Sequence, residues 1–316
     1  MTTLAERSGA PATGAAFRTP AALVRERALA NPTVVAMREK DYGIWQEITW
    51  GELWESILDA AHALISLGLQ PGDRVSIQSE DRPEWVILDL ATVAAGGITV
   101  GLYPTNPPAE VEYLLTDSGA AIHLAEDQEQ ADKVMEVESS LGHVQKIIHV
   151  EPRGFRKWRD DPRFLFWDDF LVSGREHRQH NPTAVDDRMA EATGDDIITL
   201  VYTSGTTGPP KGAMLTNHNV EFCINTLVNS AGRTVGDPIG PDDILLTYLP
   251  LCHVAERIFS TWTMAANGPS LNFAESIETV QQNLREIQPT IFFAVPRIWE
   301  KIHASIAIKG RDGTWF

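Results

Sequence analysis

Short apolar runs alternate with helical stripes along most of this chain, and that alternation leaves few folds open. Thr49-Trp50-Gly51-Glu52 has the form of a capping box. Leu53, Ile57, Ala60, Leu64 and Leu67 then fall on one stripe that Gly68 is placed to end. Pro71-Gly72-Asp73 makes a turn, and Arg74-Val75-Ser76-Ile77-Gln78 alternates as a strand does. The same reading gives a helix over 83–95, a strand over 98–103 and a helix near 109–116. A strand over 121–124, a helix over 128–139 and a strand over 146–150 follow. Strands alternating with helices imply an α/β fold, a mainly parallel sheet covered on both faces.

The stretch 153–196 breaks the rhythm, being charged and rich in Asp, Arg, His and Pro; only Phe164 to Val172 could supply one packed helix. It is expected to connect a first α/β subdomain over 17–152 to a second over 197–316, with residues 1–16 as a disordered lead-in. In the second half a strand is expected at 197–203, then a hydroxyl-rich loop and a helix opened by Thr216 that runs to about Ser230. A strand at 244–249, a helix at 254–265, a helix at 277–287, a strand at 290–295 and a helix opening at Pro296 complete the reading.

Composition narrows the function classes. The formal net charge is −17 and the basic residues are scattered. Nucleic acid, which needs a concentrated positive face, is therefore not the expected partner. Cys223 and Cys252 form no CxxC pair, so they read as small core residues in a reducing cytoplasm. The longest apolar run, Trp85 to Tyr103, contains Asp89, which alone costs about 3 kcal/mol at a bilayer centre. A buried helix followed by a buried strand is the expectation, with no spanning segment. His177 and His180 read as solvated, and Trp50, Trp54, Trp85, Trp262 and Trp299 as core.

Residues 201–212, VYTSGTTGPPKG, follow the apolar run at 197–201 directly. Glycines leaving a buried strand let successive amides point at a polyphosphate. Thr203, Ser204, Thr206 and Thr207 add hydroxyls that can donate to phosphate oxygens or ligate magnesium, and Lys211 supplies a positive charge. The Walker A pattern fails: Pro210 stands where its second glycine should fall, and Lys211 is followed by Gly212 rather than Ser or Thr. Arg297, opening a helix, and Glu256-Arg257, which could pair with each other, have bland structural readings beside functional ones.

The stretch YTSGTTGPPKGAMLTNHN resembles the signature loop of the adenylate-forming superfamily. LPLCHVAER (249–257), PTIFFAVPRIWEKIH (289–303) and LYPTNPPAEVEYLLTDSGA (102–120) are similar to its long-chain fatty acyl-CoA synthetase branch. The resemblance covers about residues 20–310. It implies the large N-terminal domain of that fold, mainly parallel sheets layered with helices, and a two-step ligation. A long-chain fatty acid reacts with ATP and Mg2+ to give acyl-adenylate, and coenzyme A then displaces AMP. It also implies that Thr203, Ser204, Gly205, Thr206, Thr207, Gly208 and Lys211 cradle the pyrophosphate, that Thr206 helps hold magnesium, and that His253 lies near the acyl carboxylate. Lys211 and His253 are the expected catalytic pair.

The family's adenine-stacking element, ribose-binding aspartate and small C-terminal domain with its catalytic lysine find no counterpart before Phe316. A truncated chain unable to turn over alone is therefore the expectation. Two alternatives stay open: a non-catalytic ATP- and acyl-binding fragment, and a ligase for another carboxylic acid. A fatty-acid substrate also leaves peripheral association with a membrane, and a homodimer, open.

Overall fold

A computed structural model describes residues 18–203, 208–228 and 239–312. Residues 1–16, expected as a lead-in, lie outside that description. Two sheets organise the rest. The larger contains β3 (Arg74–Gln78), β4 (Ile98–Leu102), β5 (Ile122–Ala125), β6 (Lys146–His149), β7 (Phe164–Phe166), β8 (Ile197–Thr203) and β9 (Lys211–Thr216), in the order β7-β6-β5-β3-β4-β8-β9. Every neighbouring pair is parallel except β8–β9, which is antiparallel. The smaller sheet, order β10-β11-β1-β2, joins β1 (Val35–Asp41) and β2 (Ile44–Thr49) to β10 (Ile244–Thr247) and β11 (Ser270–Phe273).

The helices arise where the stripes predict. Thr49 accepts from the Glu52 amide, and Glu52 accepts from the Thr49 amide at 2.8 Å. This closes the capping box of α2 (Trp50–Ser66). Gly68 follows its end with φ +94°, a left-handed angle that glycine adopts without strain. The apolar run becomes α3 (Pro83–Ala94), buried on every side, and then β4. A helix apolar all round must be enclosed; α3 touches β3 and β4 of one sheet and β1 of the other. On the far side of the larger sheet, α4 (Pro108–Ser118) and α5 (Gln128–Glu136) enclose a second cluster around Val111, Leu115 and Ala131. Among the described residues no helix is long and apolar enough to cross a membrane.

Several expectations need correction. The two sheets do not divide at 153–196: β1 and β2, early in the chain, sit with β10 and β11, while β8 and β9 extend the sheet built by β3 to β7. The stretch 153–196 is itself packed structure. Phe164–Phe166 is edge strand β7 rather than helix, and α6 (Trp167–His180) and α7 (Ala184–Glu191) follow. Gly174 of α6 lies so close to α2 that a Cβ there would collide with the Asp59 carbonyl oxygen. The residues before Thr216 form β9. Thr216 does cap α8 (Asn217–Cys223), but residues 229–238, where that helix was expected to end, lie outside the description. Residues 290–295 contribute one bridge, Ile291 to Leu245, in place of a strand. Trp50, Trp54, Trp85 and Trp262 are buried, whereas Trp299, on the helix Pro296–Asp312, is 49% exposed. His177 is half-buried, its Nδ1 lying 3.0 Å from Nδ1 of the fully buried His62.

Candidate active site

The strand order places a crevice before any residue is assigned to it. The connection leaving β3 goes to β4 on one side, and the connection leaving β4 returns to β5 on the other. Because β5 in turn connects outward to β6, away from β3, the carboxyl ends of β3 and β5 flank a topological switch point, where open α/β sheets bind ligands. The connector between β10 and the next helix lies over the end of β3 and over its other neighbour, β4. The Leu251 amide donates to Asp81 Oδ1, just past β3, at 2.8 Å. On β4, a Cβ at Gly101 would stand 2.8 Å from Cys252 Cα. No side chain larger than hydrogen fits that approach. The next residue, exposed His253, caps helix α9 (Val254–Arg257): its Nδ1 accepts the Ala255 amide at 3.2 Å. That bond leaves Nε2–H as the donor of the neutral ring.

On the other side of β4, β8 ends in the glycine-rich segment. Thr203 and Lys211 pair across β8 and β9, so the segment is the loop of a hairpin, with both residues exposed at its base. Gly208 has φ +91° and open space around it. Both feet are tied to α4. The Tyr202 hydroxyl donates to Asp117 at 2.7 Å, and the Tyr113 hydroxyl donates to the Pro210 carbonyl at 2.9 Å. Burial, followed by the hydrogen bond to Asp117, pushes the Tyr202 hydroxyl well above the usual phenol range and keeps it protonated as a donor. Ser204, Gly205, Thr206 and Thr207 lie outside the described residues.

Charge around the crevice is mainly acidic and buried. Burial, reinforced by Glu256, raises the Asp81 carboxyl well above its ordinary value, and Asp81 Oδ2 is buried without a hydrogen-bond partner among the described residues. Burial also raises Glu256 to about 7, while a hydrogen bond from Thr247 opposes the shift. Cys252 is held as a thiol, first by burial and then by Asp81. Glu256 and Arg257 do not pair with each other. Arg257 turns inward to Asp89 at 2.6 Å, both side chains being 1% exposed. Arg297 stays at the surface.

The structure thus brings Thr203, Gly208 and Lys211 to one hairpin and His253 to a connector beside the adjoining strand. The sequence reading gave no site role to Asp81, Asp89, Tyr113, Asp117 or Thr199. Asp89 carried a signal, as the one charge between Trp85 and Tyr103. Among the described residues no group of three or more His, Cys, Asp or Glu side chains gathers as a metal site. Magnesium arriving on nucleotide phosphates needs only one or two protein ligands.

The profile of the AMP-binding enzyme family matches residues 24–313. The chain is 31% identical over 294 residues to the long-chain-fatty-acid–CoA ligase ACSBG2 of Xenopus laevis, covering 89% of this chain and 38% of that protein. It is 34% identical over 301 residues to the long-chain-fatty-acid–CoA ligase FadD15 of Mycobacterium bovis, covering 92% of this chain and 47% of that one. It therefore spans less than half the length of these relatives. Among solved structures, the inhibitor-bound N-terminal domain of FACL13 from Mycobacterium tuberculosis superposes with a TM-score of 0.70 at 23% identity. That match covers 89% of this chain and 64% of the other, and it supports the adenylate-forming fold.

Proposed function

The chain belongs to the AMP-binding enzyme family, and from that premise we propose that it supplies the triphosphate-binding part of a long-chain fatty acid–CoA ligase. In the first step a carboxylate oxygen of the fatty acid attacks the α-phosphorus of ATP, and the bond to the departing pyrophosphate breaks. In the second, the thiolate of coenzyme A attacks the acyl carbonyl and AMP leaves with its oxygen. Both steps join anions, so positioning and charge stabilisation carry the catalysis. Lys211 Nζ and the Thr203 hydroxyl, level with each other across the hairpin base, would hold the phosphate tail with the loop residues 204–208. His253 Nε2–H would face the carboxylate or the adenylate phosphate, and magnesium would accompany the nucleotide.

The observation that carries this reading is the β8–β9 hairpin, glycine-rich at its tip and tied at both feet to α4, at the carboxyl edge of a parallel sheet. A lysine–phosphate bond is worth about 1.5–3 kcal/mol. Lys211→Ala should accordingly weaken ATP binding about 10–100-fold, read by titration calorimetry on the chain. Exchange of labelled pyrophosphate into ATP should depend on a long-chain acid when the portion matching the rest of the relatives is joined to it. Unchanged ATP affinity in Lys211→Ala would remove the phosphate assignment, and exchange with short, aryl or amino acids alone would remove the long-chain one.

A further inference from the structure

Arg257 is among the largest fully buried side chains of the described residues. Its Nη2 donates to Asp89 Oδ1 of α3 at 2.6 Å, and its Nη1 donates to Thr199 Oγ1 of β8 at 2.7 Å. The Thr199 hydroxyl in turn donates a hydrogen bond to the Thr99 carbonyl of β4 at 2.9 Å. The guanidinium lies 5.2 Å from the Trp85 ring and 4.9 Å from the Trp262 ring, so both indoles flank it. Its backbone amide donates to the His253 carbonyl at 3.3 Å, one helical turn back.

These bonds join two parts of the site that are far apart in the chain. One end of the link is the helix turn that begins at His253. The other is β8, four residues before Thr203. A planar, two-pronged donor can fix distance and orientation together, which a lysine ammonium cannot. We propose that Arg257 is a positioning residue that sets His253 at a fixed separation from the phosphate hairpin, acting through Thr199 while Asp89 balances its charge. This assignment deepens the ligase reading and rests on it for the chemistry it serves. The physical coupling of His253 to β8 can be tested apart from that reading.

The test compares Thr199→Val and Arg257→Lys with Val134→Ala, a cavity variant in the separate cluster around α5. Imidazole resonances of His253 are recorded without substrate. They should shift in Thr199→Val and Arg257→Lys and remain in place in Val134→Ala; an unmoved ring in Thr199→Val overturns the coupling, whether or not the wild type shows exchange. Where exchange is measured, Thr199→Val should lower kcat about tenfold or more while the KM for ATP stays within about twofold. Val134→Ala should keep the wild-type kcat. Equal losses in both variants, or a wild-type kcat in Thr199→Val, would reduce Arg257 to a core residue.

Discussion

Replacing Gly101 by alanine would test the geometry of the crevice with a single methyl group. The added carbon would stand 2.8 Å from both Cα and Cβ of Cys252 and 3.4 Å from the Trp85 ring. Carbon atoms in contact prefer about 3.5–4.0 Å, so the two backbones must part by about 0.7–1.2 Å. β4 cannot yield easily, since it pairs with β3 on one side and with β8 on the other. The connector from 249 to 253, tied near this point by the Leu251–Asp81 bond, lies outside both sheets and is expected to move instead, taking His253 with it. Overpacking of this kind costs about 1–3 kcal/mol of stability. A displacement near 1 Å in a catalytic group can cost about 100-fold in rate. Denaturant unfolding should therefore show a modest loss, and pyrophosphate exchange should show kcat down about 10–100-fold. ATP affinity should stay within about twofold, because the substitution does not touch the hairpin. A stable Gly101→Ala protein with the wild-type kcat would refute the placement of His253, and equal losses in ATP affinity and kcat would refute the separation of the two parts.

Two further outcomes follow from buried charge. Arg257→Met strands the Asp89 carboxylate in the core and should cost about 3–5 kcal/mol in denaturant unfolding. Adding Asp89→Leu to that variant should recover most of the loss, and a double variant as unstable as the sum of the two singles would argue against direct coupling. Glu256 has its folded value raised from 4.5 to about 7, so the folded protein binds that proton more tightly than the unfolded chain. The stability it contributes is complete below about pH 4.5 and is lost as pH rises through about 7, a change of about 3 kcal/mol. Glu256→Gln should flatten the stability–pH curve across that window, and a wild-type slope in the variant would assign the proton to another group.

Local signals made the parallel sheet legible. The capping box at Thr49–Glu52, the run from Trp85 to Tyr103 and the turn at Pro71–Asp73 each act over a few residues, and each appears where expected. The β1–β2 hairpin was not legible, because its strands carry Arg38, Glu39, Lys40 and Glu47 and its turn is Tyr42-Gly43. Both turn residues have positive φ, +48° and +80°, a conformation usually announced by Asn-Gly. In the site, the hydroxyl-rich segment was visible in composition, but its supports were not. Tyr113 reaches Pro210 across 97 residues, and Arg257 reaches Asp89 across 168. Such pairs have no sequence period and become visible only when the sheets bring them together.

The exchange of strands between the two sheets also bears on how the chain is made. β1 pairs with β11, which leaves the ribosome about 230 residues later; at 5–20 residues per second that is a delay of roughly 10–50 s. Throughout that interval Ala36 and Met37, fully enclosed in the finished protein, have no sheet partner on one side. A nascent chain in this state presents an unpaired strand edge with Ala36 and Met37 uncovered, so its yield in the cell depends on what shields that edge until Phe273 has emerged.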